Sequence, residues 1–381
     1  MSAAAQLRSI EPPGQQTMRL FLCGDVMIGR GIDQVLPRPC NPILYEDYVH
    51  TALDYVRLAE EANGPIPRPV ALLYIWGAAL DELSRVQPDA RIINLETAVT
   101  RSDDFVPKGI NYRISPENAD CLTAAGIDCC VLANNHVLDW GRAGLLDTLT
   151  TLERLQIKSA GAGRNSDEAS SPAALQIAGK GRLLVFSLAA ATSGTPRNWA
   201  AKQNAPGVSL LNNLSEATAI RISDQIASHR QPHDVIVISI HWGPNWGYDI
   251  LEEQRDFAHT LIERADVSVI HGHSSHHAKG IEVYRDRLIL YGCGDFLNDY
   301  EGIQGYEDYR GDLALMYFVD IELANRNLAA VEIAPLQIWK FSLVRPSGPD
   351  IDWIRQILDR ESRKFGTSIA VISPGRLALS A

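Results

Sequence analysis

The sequence predicts an α/β fold with a ligand site beyond the carboxyl ends of its strands. Short runs rich in Val, Ile and Leu recur along the chain, as expected of strands buried on both faces of a sheet. Amphipathic segments separate several of these runs, which favours helices alternating with strands. Residues able to bind metal ions follow five of the runs. Since such residues meet in one crevice in open α/β sheets, they predict a single site.

Seven apolar runs are predicted strands, and in chain order they are 19–23, 91–95, 128–133, 182–188, 234–240, 266–270 and 287–291. Helices are predicted where apolar residues recur at helical spacing, at 141–157, 252–265 and 349–366. The last of these should stop at Gly366, a residue suited to helix ends. Four segments rich in proline, glycine or polar residues are predicted loops, at 36–47, 61–69, 192–215 and 298–312.

The residues that follow the apolar runs are of types that bind metal ions or transfer protons. Asp25, Glu96, the triplet 134–136 and His241 follow four runs, and a histidine cluster follows the fifth. Four of the ten histidines lie in that cluster, at His271, His273, His276 and His277. Because neutral imidazole is the commonest metal-binding side chain near pH 7, this density predicts a metal site.

Composition excludes some functions. The chain has 381 residues, of which 46% are hydrophobic and 21% charged, enough for one large domain or two average ones. Its formal net charge of −11 argues against nucleic acid or an anionic membrane as the main partner. The N-terminus lacks a secretion signal, and no apolar run reaches the roughly 18 residues of a membrane span. Six cysteines without a CxxC pair favour reduced thiols and a cytoplasmic location.

Several motifs resemble those of the CapA family of capsule and poly-γ-glutamate synthesis proteins, which belongs to the calcineurin-like metallophosphatase superfamily. The similarity covers roughly residues 19 to 300 and is most specific in ANNHVLDWG together with the histidine motif. The matching segments are GDVMIGRG (24–31), NLET (94–97), the stretch 111–149, HWG (241–243), GHSSHHAKGIE (272–282) and GCGDF (292–296).

This resemblance implies a four-layer α/β/β/α sandwich with the metal site at the strand ends. It implies a CapA-like domain at 19–342, after a flexible segment 1–18 and before a C-terminal helix and tail, 343–381, packed on the same domain. His136 matches the acid/base position. The matching metal ligands are Asp25, Glu96, Asn135, His241, His273 and His276.

Two positions depart from the usual metallophosphatase pattern. Met27 stands where these enzymes place a histidine ligand, and methionine is a poor ligand for a hard cation. Glu96, two residues after Asn94, replaces the usual aspartate of the second motif. The chain is therefore expected to bind one or two divalent ions. Carboxylate, amide and imidazole ligands favour Mn²⁺, Fe²⁺ or Zn²⁺.

Further residues are candidates for roles around the metal. His136, Asp25 and His276 are candidate catalytic groups. Asp139 and Asp295 are expected to fix histidines, and Asp295 could instead bind metal. The candidate substrate contacts are Arg30, Lys108 and Trp242.

Three functions are compatible with these residues. The leading hypothesis, which the resemblance also supports, is metal-dependent epimerisation of an amino-acid centre in a peptide or polyglutamate-like substrate, a reaction that needs two acid/base groups. The first alternative is a metal-dependent phosphoesterase. The second is a noncatalytic partner of a polymer or peptide ligase complex.

Overall fold

Two β-sheets pack face to face at the centre of the computed structural model, which describes residues 17–380. The predicted flexible segment 1–18 lies outside the described residues, apart from Thr17 and Met18, which begin the first strand. Every predicted apolar run overlaps a strand, so the predicted strand pattern is confirmed.

The strands of the described chain are β1 (Thr17–Val26), β2 (Ala90–Leu95), β3 (Ala98–Val99), β4 (Arg113–Ile114), β5 (Cys129–Val131), β6 (Lys158–Ala160), β7 (Ala162–Gly163), β8 (Ala173–Ile177), β9 (Gly181–Ala190), β10 (Gly207–Val208), β11 (Leu210–Leu211), β12 (Val235–His241), β13 (Val269–His273), β14 (Ile281–Tyr284), β15 (Arg287–Leu290), β16 (Asp295–Leu297), β17 (Leu313–Glu322), β18 (Leu328–Trp339), β19 (Ser342–Val344), β20 (Ser368–Ser373) and β21 (Arg376–Ser380). The α-helices are α1 (Gly31–Val35), α2 (Ala52–Asn63), α3 (Ala78–Val86), α4 (Asp120–Ala124), α5 (Gly141–Arg154), α6 (Ser166–Ser170), α7 (Glu216–His229), α8 (Glu252–Ala265) and α9 (Gly348–Ser362).

The larger sheet has ten strands, with the main order β20-β21-β18-β17-β1-β2-β5-β6. Its half around β1, β2, β5 and β6 is parallel, whereas β17 and β18 run antiparallel. The second sheet has seven strands, and β9, β12, β13 and β15 form its parallel centre. Parallel strands end at the same edge of a sheet, so each sheet collects its strand-end residues along one edge.

Alternation along the strands explains the layers. In β1, Leu20 and Leu22 face a core between the two sheets, while Phe21 and Cys23 face a core that also contains residues of α3 and α5. A third core joins the second sheet to α7 and α8, through residues such as Phe186. Helices therefore cover both outer faces, and the four-layer α/β/β/α architecture is confirmed.

The C-terminal region extends the larger sheet. Helix α9 begins at a capping box, in which the Ser347 hydroxyl accepts a hydrogen bond from the Asp350 N–H at 3.3 Å. After the helix, β20 and β21 form a hairpin, and β21 pairs with β18. Among residues 17–380, no helix combines the length and apolar character needed to cross a bilayer.

Three local expectations are corrected. The predicted strand 266–270 is shifted to Val269–His273, so His271 and His273 lie within β13 and not after it. Pairing with β12 explains the shift, because the ladder continues to the His241–His273 pair. The predicted loop 61–69 begins inside α2, and the predicted loop 192–215 contains the short strands β10 and β11.

Candidate metal centre

Two strand ends of the larger sheet meet beside glycines. An added Cβ at Gly24 would lie 1.7 Å from the Gly294 carbonyl oxygen, so only glycine permits this approach. The Asp25 N–H donates to that carbonyl at 2.9 Å. Asp25 and Asp295 consequently face each other in the parallel register of β1 and β16. Both carboxylates are almost completely buried.

An amide links two of the carboxylates. Asn94 Nδ2, at the end of β2, donates to Asp25 Oδ1 at 2.7 Å and to Glu96 Oε2 at 3.0 Å. Asn134 donates in turn to Asn94 Oδ1 at 3.0 Å, and its own Oδ1 accepts the His136 N–H at 3.1 Å. Asn94 was missing from the predicted site, although it stands in the NLET motif. Its role is to hold two acidic side chains in place.

The second sheet contributes imidazoles. The Nδ1 atoms of His241 and His273 lie 2.7 Å apart, and His273 Nδ1 lies 3.7 Å from Asp25 Oδ1. Ser239 orients His273 through a contact of 2.7 Å to Nε2. His241 Nε2 lies 3.0 Å from Asn135 Oδ1. Side chains from both sheets therefore converge at this point.

Two groups of potential ligand atoms result, one from Asp25, His241 and His273 and the other from Asp25, His276 and Asp295. Within each group the ligand atoms lie within 4.8 Å of one another. Carboxylate and imidazole without thiolate is a donor set suited to Mn²⁺, Fe²⁺ or Zn²⁺. The residues therefore fit a divalent transition metal, and Asp25 is common to both groups.

Burial sets the protonation of these groups. It raises the pKa of Asp25 to about 7, with a further contribution from the Asp295 carboxylate. Burial and the nearby Asp25 carboxylate raise the pKa of Glu96 well above its usual range. Burial also lowers the pKa of His241 and His273 well below the usual value. The imidazoles are thus neutral, which is the form that binds metal.

A first histidine–carboxylate dyad lies beside Glu96. His136 Nδ1 is 2.7 Å from Asp139 Oδ2, and His136 Nε2 is 3.9 Å from Glu96 Oε1. Lys108 Nζ forms an ion pair with Asp139 Oδ1 at 3.0 Å and also donates to the Asn135 carbonyl. Burial lowers the pKa of His136 to about 4, although Asp139 opposes the shift. His136 is therefore a neutral imidazole whose Nδ1 is held by a carboxylate.

A second dyad lies beside Asp25. His276 Nδ1 is 2.8 Å from Asp295 Oδ1, and Asn298 donates to Asp295 Oδ2 at 2.7 Å. Burial lowers the pKa of His276, but the Asp295 carboxylate outweighs it and the net pKa is raised. Asp295 thus both contacts a histidine and belongs to a group of potential metal ligands, the two roles that the sequence left open.

Two tyrosines connect the dyads, and sequence reasoning missed both. The ring of Tyr112 lies edge-on to His136 at 4.6 Å, and the ring of Tyr300 lies edge-on to His276 at 5.5 Å. Their hydroxyl oxygens are 2.7 Å apart. Tyr112 lies in the matching stretch 111–149 and Tyr300 in the predicted loop 298–312, and only the fold brings the two together.

The remaining clustered histidines have other surroundings. His271 is fully buried, and its nitrogens contact the Ser239 hydroxyl at 3.1 Å and the Cys23 carbonyl at 2.7 Å. Both nitrogens are used, so His271 supports the strand and has none left for a metal. His277 packs against Tyr248 and Tyr309, with ring centroids 4.6 Å away in each case.

Arg30 is not available as an anion contact, which corrects that prediction. Its guanidinium bonds to the carboxylates of Glu46 and Asp299 and to the hydroxyls of Tyr55 and Tyr112, and these contacts use all of its N–H donors. Only 1% of the side chain is exposed. Arg30 therefore neutralises two buried carboxylates and shapes the wall of the site.

Trp242 is a core residue, which corrects its predicted role as a substrate wall. It is 2% exposed, packs in the core that joins the second sheet to α7 and α8, and donates to the Tyr291 carbonyl at 3.0 Å. The neighbouring Trp246 does line the cavity beside the site. Met27 is buried as well, and its sulfur accepts from the Tyr300 hydroxyl at 3.6 Å.

Comparison with known proteins identifies the family of the chain. The family model described as bacterial capsule synthesis protein PGA_cap matches residues 19–300. A probable polyglutamine synthesis accessory protein of Mycobacterium tuberculosis is 43% identical over 352 residues, 92% of each chain. The PGA biosynthesis protein CapA of Bacillus subtilis is 27% identical over 64% of this chain and 60% of that protein.

Two further matches are more distant, one in structure and one in sequence. The crystal structure of a phosphatase from Mycoplasma pneumoniae superposes with a TM-score of 0.48 and 10% identity, covering 84% of this chain and 94% of that one. The capsule biosynthesis protein CapA of Bacillus anthracis is 22% identical over 85% of this chain and 68% of that protein. Since the family model spans most of the sandwich and all the candidate ligands, the chain belongs to the bacterial capsule synthesis family PGA_cap.

Proposed function

We propose that the chain is a metal-dependent acid–base enzyme that epimerises an amino-acid centre in a peptide or polyglutamate-like substrate. The observation that supports it best is the pair of dyads, His136 with Asp139 beside Glu96, and His276 with Asp295 beside Asp25. Inverting a carbon centre requires one group that removes the α-proton and a second that returns a proton. Each dyad supplies one imidazole.

The dyads are built for proton transfer at Nε2. In both, Nδ1 contacts a carboxylate, so the carboxylate fixes the tautomer and the orientation of the ring. Tyr112 and Tyr300 pack against the two rings, and the hydrogen bond between their hydroxyls links the two dyads. The His136 Nε2 and His276 Nε2 atoms are then the acid/base atoms.

In this proposal the residues that would hold metal are Asp25, Glu96, Asn135, His241 and His273. His276, whose Nδ1 contacts Asp295, is kept for proton transfer at Nε2. A divalent ion there would supply Lewis acidity toward a substrate carbonyl, which makes the adjacent Cα–H more acidic. The carboxylates of Asp25, Glu96 and Asp295 are buried from bulk water.

One observation favours phosphoester hydrolysis as a second candidate. Two groups of potential ligands share Asp25, as expected of a site for two neighbouring ions. Met27 replaces the histidine ligand that is usual in metallophosphatases. The second group of potential ligands, Asp25, His276 and Asp295, does not include that position and is therefore kept. A third candidate, an accessory role in polymer synthesis, rests on the similarity to the M. tuberculosis protein, which is named as a probable polyglutamine synthesis accessory protein. We also propose a cytoplasmic location, supported by six free cysteines.

Deuterium uptake tests the leading proposal. Metal-loaded protein in D₂O is incubated with peptides and γ-glutamyl oligomers, and mass spectrometry and chiral analysis follow the Cα–H positions. His136→Gln and His276→Gln should each slow inversion by about a hundredfold or more, the usual contribution of one acid/base group. His259→Gln is the control, because that ring stacks on Tyr284 away from the site.

Each outcome separates the candidates. Solvent deuterium at an inverted centre supports the epimerase. Release of phosphate from a phosphoester without deuterium uptake favours the phosphoesterase. Neither reaction, in protein shown to contain metal, favours the accessory role.

A further inference from the structure

A cavity of about 680 Å³ opens beside His276, Asp295 and Tyr300, within the size range of small-molecule sites. We propose that this cavity binds the ammonium group of an amine-bearing peptidyl substrate and discriminates against a run of glutamate carboxylates. The inference rests on the proposed function in one respect, that the substrate binds in this cavity. It narrows that substrate to one chemical class.

Three carboxylates that are not candidate metal ligands line the cavity, those of Glu301, Glu307 and Asp312. The Glu307 side chain is exposed and accepts only the Gly305 N–H, at 3.0 and 3.1 Å from its two oxygens. It keeps several lone pairs for a ligand. Glu301 accepts the N–H groups of Lys340 and Phe341 at 2.6 and 2.7 Å. The wall therefore carries negative charge.

Two side-chain amides that line the cavity also present acceptor oxygens. Asn63 Nδ2 donates to Glu301, and Gln337 Nε2 donates to Asp312 at 2.9 Å. A carboxylate can only accept, so the NH₂ group of each amide must face it and the amide oxygen must face away. Within residues 17–380 neither amide oxygen has a hydrogen-bond donor. Each is left to accept from a ligand.

The cations of the wall are already paired. Arg30 and Arg310 line the cavity, and no lysine does so in the described chain. Arg30 has no free N–H, as described above. Arg310 bonds to both oxygens of Asp312, at 2.7 and 2.9 Å, and to Asp350 at 2.8 Å. Arg310 keeps two of its five N–H donors, but its charge is balanced by two carboxylates, and His276 is paired with Asp295. A carboxylate-rich ligand would therefore add negative charge where the cations are already neutralised, whereas an ammonium group carries three donors and the complementary charge.

An aromatic face adds to the match. Tyr306 stacks on Trp246 with ring centroids 4.1 Å apart, and Tyr306 remains 52% exposed at the cavity. Its outer face is open to a cation, which aromatic rings attract. The chain's formal net charge of −11 further favours the approach of a cationic ligand over an anionic one.

The test is a binding series measured by calorimetry. The probes are trialanine amide with a free amino terminus, its N-acetyl form, N-acetyl-Ala-Lys-Ala amide and tri-γ-glutamate whose amino terminus is also acetylated. We expect the two amine-bearing peptides to bind about tenfold or more tighter than the acetylated trialanine, as one charge-assisted hydrogen bond allows. Comparing the affinities of trialanine amide and N-acetyl-Ala-Lys-Ala amide shows whether the cavity binds a terminal ammonium group or that of a lysine side chain.

Three variants localise the effect. Glu307→Gln should weaken the amine-bearing peptides severalfold, and Glu216→Gln, an equal change of charge at the exposed start of α7, should not. Asp312→Asn should release Arg310 and improve binding of tri-γ-glutamate. Thermal melting of each variant checks that it folds.

Three results would overturn the proposal: equal binding of the amine and its acetylated form, tighter binding of tri-γ-glutamate to the wild type, or no amine binding at about 10 mM, where specific sites are saturated. Binding is measured without any reaction. A failure of Cα exchange and a failure of amine selectivity are therefore separate outcomes.

Discussion

Replacing Arg30 with glutamine should test whether this residue stabilises the fold or binds substrate. Its side chain is 1% exposed and lies between the carboxylates of Glu46 and Asp299, which are 5% and 0% exposed. The guanidinium also lies 3.8 Å from the centre of the Tyr55 ring and 4.1 Å from that of Tyr112. Glutamine removes the charge and leaves two buried carboxylates without a cation.

The expected cost is large. Breaking a buried ion pair by removing one partner destabilises a protein by about 3–5 kcal/mol. Arg30→Lys keeps the charge but not the planar donor fork, so its effect should lie between wild type and Arg30→Gln. Arg57→Gln is the matched control. Its side chain is 65% exposed and its ion pairs are on the surface, where the median contribution is about 0–1 kcal/mol.

Urea unfolding measures the difference. The shift in midpoint multiplied by a common slope gives the change in the free energy of unfolding. Binding of amine-bearing peptide and of tri-γ-glutamate is measured on the same samples. If Arg30→Gln unfolds within about 1 kcal/mol of wild type, as a surface pair would, yet loses peptide binding, then Arg30 contacts substrate and the structural reasoning is wrong.

Three further predictions concern the metal, pH and strand packing. His271→Gln should retain bound metal and His273→Ala should lose it, which elemental analysis of the purified variants would show; equal loss in both would make His271 a ligand. Burial lowers the pKa of Lys279 from 10.5 to about 8, so between these values the unfolded chain binds more protons and stability rises with pH. Lys279→Met should therefore be more stable than wild type at pH 7. It should lose this advantage by up to ~1.4 kcal/mol per pH unit as the pH rises from about 8 to 10.5. Urea unfolding measures the difference, and a difference in midpoints that does not change with pH would contradict the reasoning. Gly24→Ala should lower the melting temperature sharply because its Cβ would meet a carbonyl oxygen at 1.7 Å, whereas Gly348→Ala, with open space around it, should melt like wild type; similar melting of both variants would show that β1 and β16 can move apart.

Local patterns in the sequence predict the strands and a site at the strand ends, whereas the four-layer arrangement followed only from the resemblance to the CapA family. Apolar runs identified the strands, and residues after the runs identified Asp25, Glu96, His136 and His241. These features need only the order of residues along one strand. The structure adds that alternate residues of β1 face the core between the sheets and the core under the helices, which the continuous apolar run does not distinguish.

The roles of individual side chains needed the fold. Arg30 was predicted to contact substrate because it follows the Asp25 motif, but Glu46 and Asp299 lie 16 and 269 positions away from it in sequence and approach it only in the folded chain. The tyrosine pair was missed for the same reason: Tyr112 and Tyr300 are separated by 188 positions. Trp242 follows His241 directly, but successive side chains of a strand face opposite sides, so Trp242 lies in the core between the second sheet and helices α7 and α8.

The division of the candidate ligands between two sheets has a further consequence. Asp25 and Asp295 belong to the ten-stranded sheet, while His241 and His273 belong to the seven-stranded sheet. An ion bound by members of both sets would cross-link the halves of the sandwich, and its binding free energy would add to the stability of the folded chain. Cellular metal supply would then set the lifetime of the protein as well as its activity.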